Sequence, residues 1–301
     1  MDLVCTSIQT LRPEPQTSVM NTIALGDVEI TRVIERHGSF GPLHTLVPGV
    51  PDPAPDWLAP DHHDPATDSM IAAAQTWVLR SGGRTILVDT GVGNDRVRTN
   101  PLFAGWHTDF LERLRAVVDP ASVDVVVNTH VHADHVGWNT RDAGGEWVPT
   151  FPNATYLIPR ADHEHFKGTE VHDDSVVPVL GLTTLWENTF RIDENLELES
   201  APGHTPGSSV LRLRSGTDRA VFVGDLLHSP YQLTDPLCNS TFCLDPAQAQ
   251  ASRLRVLTRA ADTRELVIPA HFAGPGAVEI TRSAHGFAPT TWAGFTPLST
   301  V

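Results

Sequence analysis

The sequence predicts an α/β protein in which two similar halves pack face to face, with helices on the outside. Short segments rich in β-branched residues recur along the chain. Two amphipathic segments with helical spacing interrupt them, one in each half. A sheet with an apolar face must bury that face, and a second sheet with helices outside satisfies this requirement.

The first half begins with a β-meander. Residues 22–35, TIALGDVEITRVIE, and the later segments QTWVLRS and RTILVDT carry the β-branched and partly alternating residues of strands. In WHTDFLERLRAVV, residues 106–118, the apolar spacing becomes helical. The run VDVVVNT, residues 123–129, has valine at four of its first five positions and predicts a fully buried strand.

The second half repeats this plan. Strands are predicted at ATYLIP, LELESAP, SSVLRLR, RAVFVGD and ELVIP, with ELVIP as the final strand. Before ELVIP, the segment DPAQAQASRLRVLTRAA predicts a helix with Asp245 as its N-cap and Pro246 at its first position.

One domain, residues 22–301, is expected after a loose N-terminal tail formed by residues 1–21. Residues 36–70 break the strand pattern with a stretch that contains seven prolines. Each proline fixes φ and removes a backbone donor, so regular structure is not expected there. Because long irregular segments of compact domains are often functional, we interpret 36–70 as a lid or as the arm of a homodimer. A surface loop packed on its own domain is the alternative.

Composition restricts the partners of the chain. Its formal net charge is −15 and Lys167 is its single lysine, which disfavours nucleic acid. Three cysteines, Cys5, Cys238 and Cys243, are too few for a disulfide framework and fit a reducing compartment. The start of the chain shows no signal-peptide pattern, and no uncharged run reaches the length of a membrane span. A cytoplasmic protein that acts on a small molecule, without a membrane partner, is expected.

The stretch NTHVHADHVGWN places three histidines and an aspartate directly after the buried strand. Histidine nitrogen and aspartate oxygen are ligands of divalent metal ions. In an extended segment His130 and His132 point to the same side. A turn after Ala133 would let Asp134 and His135 face a second ion. A chance surface cluster is the alternative, which the apolar strand before it disfavours.

Three further candidate ligands follow apolar strands in the second half. They are His204 in APGHTPGS, Asp225 in FVGDLLH and His271 in VIPAHF, each near a glycine or proline. Such residues are expected on tight turns at one rim of a sheet. The sequence therefore predicts a two-metal site built from strand ends.

The combination of HxHxDH, the GHTPG histidine, the GD aspartate and a late histidine resembles the metallo-β-lactamase fold superfamily. The resemblance extends from about Thr22 to Ile280 and implies an αββα sandwich of two mixed β-sheets with helices on the outer faces. In LVDTG, another motif of that family, it implies that Asp89 accepts a hydrogen bond that orients a ligand. The implied ligands are His130, His132 and His204 for one ion, Asp134, His135 and His271 for the other, and Asp225 between them.

Departures from the family pattern narrow the choice among the branches of the family. Ala133 stands where the redox di-iron branch usually carries a glutamate, and Asp225 stands where one branch of true β-lactamases has a cysteine. The ligand set, the Pro-rich segment, and DHVGWN with PTFPNATYLIPR are most similar to the branch of acyl-homoserine lactonases and methyl parathion hydrolase. Several lactonases place an oxyanion-stabilising tyrosine between the residues equivalent to His204 and Asp225, and this chain has none there.

The resemblance implies a dinuclear metal-dependent hydrolase. Two divalent ions would bridge a water and lower its pKa toward neutrality, with zinc as the default and iron, manganese or cobalt as alternatives. The hydroxide would open an ester-like bond in a neutral or apolar molecule, a lactone in the leading hypothesis. Asp134 or Asp225 would orient it and pass its proton to the leaving group. The alternatives are phosphotriester or β-lactam hydrolysis, a mononuclear thioester or sulfur-chemistry enzyme, and an inactive scaffold.

Three residues near these motifs are candidates for the substrate pocket. His228 and Tyr231 follow Asp225 closely, and Tyr231 is a candidate replacement for the missing tyrosine. Ordinary loop packing is the alternative for both. Trp138 follows the histidine motif and forms either an apolar pocket wall or part of the core.

Overall fold

Two large β-sheets form the centre of the structure, a computed structural model that describes residues 22–295. The strands are β1 Thr22–Leu25, β2 Val28–Pro42, β3 His63–Asp64, β4 Ser69–Ser81, β5 Arg84–Val88, β6 Val125–Val127, β7 Thr140–Asp142, β8 Trp147–Pro149, β9 Thr155–Pro159, β10 Thr183–Trp186, β11 Thr189–Arg191, β12 Leu196–Ser200, β13 Ser209–Ser215, β14 Asp218–Gly224, β15 Leu266–Pro269, β16 Val278–Arg282 and β17 Phe287–Trp292. The α-helices are α1 Leu43–Leu46, α2 Phe110–Arg115, α3 Ala133–Val136, α4 Arg160–His165, α5 Glu170–Ser175, α6 Tyr231–Thr234 and α7 Pro246–Thr263.

Both large sheets are mixed. The first has the order β1-β2-β4-β5-β6-β9-β10, with β3 paired to β4. Its strands are antiparallel up to β5 and parallel from β5 to β10. The second has the order β11 to β17 and is parallel only between β14 and β15. The predicted fold class, an αββα sandwich of two mixed sheets, is confirmed.

The core lies between the two sheets and under the helices. Trp77 of β4 meets Phe222 of β14 edge-on across the interface, with ring centroids 6.1 Å apart. Leu114 of α2 is buried in the layer outside the first sheet. Leu257 of α7 is buried in the layer outside the second. Burial on both faces of each sheet is what requires four layers.

Strand β6 shows why three valines follow one another in VDVVVNT without a polar residue between them. Val125 and Val127 belong to the core between the sheets, whereas Val126 belongs to the layer beneath α2. A strand covered on both faces has no solvent-facing position, so alternation disappears. The chain emerges from this buried strand directly into the histidine motif.

Helix α7 begins as predicted. The Asp245 side chain accepts a hydrogen bond from the backbone N–H of Gln248 at 3.0 Å, and Pro246 occupies the first turn. The helix ends at Thr263, and the next residue, Arg264, has a left-handed φ of 56°. Among the described residues, no helix combines the length and the apolar character needed to cross a bilayer.

One expectation about the strands is wrong. ELVIP forms β15 but is not the final strand, because β16 and β17 follow it as an antiparallel pair. Pro289 argues against a strand in the interior of a sheet, yet β17 is the last strand in the sheet order, where a missing donor costs little. The predicted tail, residues 1–21, lies outside the described residues.

Residues 36–70 contain more regular structure than expected. Strand β2 runs on to Pro42 and pairs with β4, which begins at Ser69. Register shifts at Ile34/Arg36 and at Ser39/Pro42 let the two strands bend. Most of the prolines fall in the tip between the strands. The tip buries Leu43, Val47, Val50 and Leu58 against its own domain, in a cluster with Met70, Val92 and Trp106.

Candidate metal centre

The histidine motif forms a buried turn at the end of β6. His130 and His132 lie in the loop, and α3 begins immediately after His132. The first turn of α3 carries Asp134 and His135 to the other side of the loop. His130 and His135 are each 1% exposed, so the ligand atoms are removed from bulk water.

One group of potential ligands combines both halves of the chain. The ring nitrogens converge, with His132 Nδ1 lying 3.1 Å from His130 Nε2 and 2.9 Å from His204 Nε2. Asp225 Oδ2 lies 3.2 Å from His204 Nε2. One ligand atom from each of these four residues lies within 4.8 Å of every other. Burial lowers the pKa of His130 and His132 well below the usual value, which leaves both as neutral ligands.

A second group lies beside the first. It contains Asp134, His135 and His271, whose ligand atoms also lie within 4.8 Å of one another. His271 Nε2 is 3.2 Å from His135 Nε2 and 3.4 Å from Asp134 Oδ2. Asp225 Oδ1 is 3.0 Å from His271 Nε2 and 3.2 Å from His135 Nε2. The two oxygens of Asp225 therefore face different groups.

The residues present fit divalent metal ions. Nitrogen atoms that point at one spot repel each other unless a proton or a cation lies between them. Within residues 22–295, the buried Oδ1 of Asp225 makes no hydrogen bond of acceptable geometry. Burial alone would raise the pKa of Asp225, but the surrounding histidines, His135 above all, hold it well below its usual range. A carboxylate surrounded by imidazole nitrogens is a donor set suited to zinc and other borderline metals.

Hydrogen bonds behind the ligands fix their orientation. Asp89 Oδ2 lies 2.8 Å from His135 Nδ1, and Asp89 Oδ1 accepts from the backbone N–H of Thr129 at 2.8 Å. His271 Nδ1 lies 2.9 Å from the carbonyl of Ala73. A ring nitrogen that donates to an oxygen leaves Nε2 as the acceptor that a metal ion requires. Asp89 thus contacts one of the potential ligands directly, and its orienting role stays a prediction.

Asp162 is a buried carboxylate that our sequence reasoning missed. Its Oδ2 accepts from the N–H of Val131 and from the hydroxyl of Thr205, both at 2.8 Å. Its Oδ1 accepts from the N–H of Gly207 at 2.5 Å. Val131 lies between His130 and His132, while Thr205 follows His204. Asp162 thus joins the two loops that supply the first group of ligands.

Glu35 is a second buried carboxylate that was missed. It lies at the register shift of β2, where a bulge redirects its side chain. Oε2 accepts from the N–H of Val92 at 2.6 Å, and Oε1 accepts from Trp138 Nε1 at 2.7 Å and from the N–H of Gly93 at 3.1 Å. Burial raises the pKa of Glu35 to about 7. Glu35 joins the loop after Asp89 to the loop after His135.

A cavity of about 510 Å³ opens onto both ligand groups. Asp134, Asp225 and His271 contribute to its floor. Most of the wall is apolar, so the cavity suits a molecule with a small polar centre and an apolar remainder. Its apolar wall includes Phe40, Leu46, Met70, Leu102, Phe103, Phe166, Val171 and Phe242.

The structure separates the three candidate pocket residues. His228 lines the cavity, and burial lowers the pKa of His228 to about 4. Tyr231 does not line it, because its side chain is half-buried in the cluster formed by the tip of 36–70. Trp138 does not line it either; it is a core residue that packs on Phe110 with ring centroids 5.5 Å apart.

Sequence relatives give a consistent picture at low identity. An N-acyl homoserine lactonase from Bacillus sp is 25% identical over 153 residues, which covers 46% of this chain and 57% of that protein. The N-acyl homoserine lactonase AttM from Rhizobium radiobacter is 30% identical over 108 residues, 32% of this chain and 38% of that one. The chain thus spans about half the length, or less, of these curated relatives.

Solved structures with the same fold match almost the full chain. AidC, a dizinc quorum-quenching lactonase solved in complex with a product, superposes with a TM-score of 0.76 at 20% identity, covering 92% of this chain and 98% of AidC. The hydrolase AbOPH of the beta lactamase superfamily gives a TM-score of 0.76 at 20% identity, covering 91% of this chain and 98% of AbOPH. At such identities the likeness concerns the fold. A family model settles the family, since it matches residues 72–271: this chain belongs to the metallo-beta-lactamase superfamily.

Proposed function

We propose that this protein is a dinuclear metal-dependent hydrolase that opens an ester-like bond. The proposed substrate is a lactone. The observation that carries the proposal is the position of Asp225, whose two oxygens face two separate ligand groups. Family membership and the lactonases among the relatives support it. His130, His132 and His204 would hold one ion, and the second group would hold the other.

Divalent ions held there would supply Lewis acidity and a water that ionises near neutral pH. The chain itself contributes orientation and proton transfer. Asp134 lines the cavity, so its carboxylate can take the proton that water loses and return it to the leaving oxygen of the ester. Water adds to the acyl carbon, the bond to the leaving oxygen breaks, and a hydroxy acid results from a lactone.

The cavity supports an apolar substrate. Phe40 and Leu46 from the 36–70 segment and Phe166 from the loop after α4 contribute apolar wall. A water-excluding wall strengthens every polar interaction at the floor. We therefore propose that 36–70 acts as a fixed lid of the substrate cavity. The homodimer and the cytoplasmic location stay predictions.

The test combines metal analysis with a substrate panel. The protein is loaded with zinc, and in parallel with iron, manganese and cobalt, and its bound metal is measured by elemental analysis. Proton release is then followed by pH-stat with an N-acyl homoserine lactone, a phenyl ester, an aryl phosphotriester and a β-lactam. Two metal equivalents and fastest turnover of the lactone are expected.

Asp225→Ala is the decisive variant, and Glu164→Gln, a change of an exposed carboxylate, is its control. Loss of the carboxylate that faces both groups should remove at least one metal equivalent and most activity. A single equivalent in the wild type would contradict the dinuclear site, and preference for the phosphotriester or the β-lactam would change the substrate class. No turnover of any panel member would contradict the proposed function.

A further inference from the structure

His228 lies over the junction of the two ligand groups. Its Nε2 is 3.2 Å from Asp225 Oδ2. Its ring centroid is 5.0 Å from that of His204 in the first group and 6.0 Å from that of His271 in the second. Phe242 stacks on it at 5.8 Å with an interplanar angle of 28°. The imidazole is thus held in place by aromatic neighbours at the floor of the cavity.

Within the described part of the chain, the polar atoms of His228 lie near the Asp225 carboxylate but make no well-formed hydrogen bond. The residue is 5% exposed, and within residues 22–295 neither of its ring nitrogens makes a hydrogen bond of acceptable geometry. A buried polar group without a partner is rare and costs stability, so its retention calls for an explanation. The residue itself lines the cavity that opens onto both ligand groups.

His228 does not complete either metal group. The four atoms that converge in the first group belong to His130, His132, His204 and Asp225, and the second group takes none from His228. A neutral imidazole that is not a ligand still carries one N–H donor. Of the two ring nitrogens, Nε2 lies beside the ligand atoms, 3.2 Å from Asp225 Oδ2.

We propose that His228 donates a hydrogen bond to the substrate oxygen on which negative charge develops during hydrolysis. This inference rests on the proposed function and deepens it, because it supplies the oxyanion donor that the missing tyrosine leaves open. Tyr231 does not take that role, since its side chain packs in another cluster and does not line the cavity. A fixed donor in a water-excluded site stabilises the transition state more than the bound substrate, so its removal should lower kcat and leave KM nearly unchanged.

The experiment compares His228→Phe with His228→Gln and with Tyr231→Phe. Phenylalanine keeps a flat ring against Phe242 and removes the N–H, whereas glutamine restores a donor. Lactone hydrolysis by the zinc-loaded proteins gives kcat and KM, elemental analysis gives metal content, and thermal unfolding reports folding. We expect His228→Phe to lower kcat about 100- to 1,000-fold, His228→Gln to recover part of that loss, and Tyr231→Phe to match the wild type.

Metal content and stability distinguish this role from a structural one. His228→Phe should keep two equivalents of zinc, and its unfolding temperature should be equal to or above that of the wild type, because an unpaired buried polar group is removed. Loss of metal, loss of stability, or kcat within about threefold of the wild type would overturn the proposal. A loss of kcat in Tyr231→Phe instead would assign the donor to the tyrosine. An inactive wild type would refute the proposed function, whereas an active wild type with an equally active His228→Phe refutes only this inference.

Discussion

Replacing Glu35 by Gln should change how folding stability depends on pH. Burial raises the pKa of Glu35 from 4.5 to about 7, so the unfolded chain releases this proton at a lower pH than the folded protein does. Below pH 4.5 the carboxyl is protonated in both states. As the pH rises from there through about 7, ionisation favours the unfolded state, and the wild type loses the stability that this group contributed. A glutamine side chain has no such dependence.

The magnitude follows from the two pKa values. The interval from 4.5 to about 7 corresponds to about 3 kcal/mol when ionisation is complete. About 2.5 kcal/mol of this develops between about pH 5 and about pH 8. Glu35 accepts hydrogen bonds from three N–H donors. The amide NH2 group of glutamine would face one of these donors and lose that hydrogen bond, which costs about 1 to 3 kcal/mol at either pH. Glu35→Gln should therefore be less stable than the wild type near pH 5 and should recover or exceed its stability near pH 8.

Urea unfolding of the metal-free proteins, followed by tryptophan fluorescence, measures this difference. A chelator in every sample removes the separate pH dependence of metal binding. Glu164→Gln is the matched control. The hydrogen bond to Lys167 lowers the pKa of Glu164, so ionisation of this carboxyl favours the folded state, opposite to Glu35. An unfolding free energy difference between Glu35→Gln and the wild type that stays constant across this pH range would refute the reasoning.

Other predictions address the loops, the helix and the bound ions. Asp162→Asn should weaken metal binding about 10- to 100-fold, because both carboxylate oxygens of Asp162 accept hydrogen bonds and an amide offers only one oxygen. Chelator competition measures the affinity, and an unchanged value would contradict this prediction. Asp245→Ala should cost about 1 kcal/mol in thermal unfolding through loss of the N-cap bond, and an unchanged midpoint would argue against it. Leu257→Ala should cost about 2 to 5 kcal/mol in urea unfolding, and less than 1 kcal/mol would show that the site collapses without a cavity. Removing metal should lower the unfolding free energy by about 3 kcal/mol relative to protein with free metal at about 100 times its Kd, and coincident unfolding curves would contradict a folded-state metal site.

The potential ligands could be predicted because each signal is local. His130 and His132 follow a strand whose complete burial is visible in its composition, and their spacing alone puts them on one side. His204, Asp225 and His271 repeat the same pattern of apolar strand followed by a turn. Strand ends of one sheet meet at one rim, so local patterns were sufficient to group the residues of each sheet, and the packing of the two sheets brings the groups together.

The buried carboxylates could not be predicted in this way. Asp162 binds Val131, 31 residues away in the chain, and Glu35 binds Trp138, 103 residues away. The chain contains 36 acidic residues, most of which have equally ordinary sequence neighbours. What distinguishes these two is which backbone donors the fold brings to them. Similarly, Tyr231 and His228 are only three positions apart, and their different surroundings depend on the start of α6 between them.

The two groups of potential ligands lie where the two sheets meet, and each group takes residues from both sheets. His130 and His132 follow a strand of the first sheet, while His204 and Asp225 follow strands of the second. The other group also combines both sheets, since His271 follows a strand of the second sheet, whereas Asp134 and His135 follow a strand of the first. An ion held by either group would lose ligands if the two sheets separated, so its binding free energy would oppose that separation. The hydrophobic contacts between the sheets position the potential ligands, and metal bound to them would in turn hold the sheets together at the rim where the cavity opens.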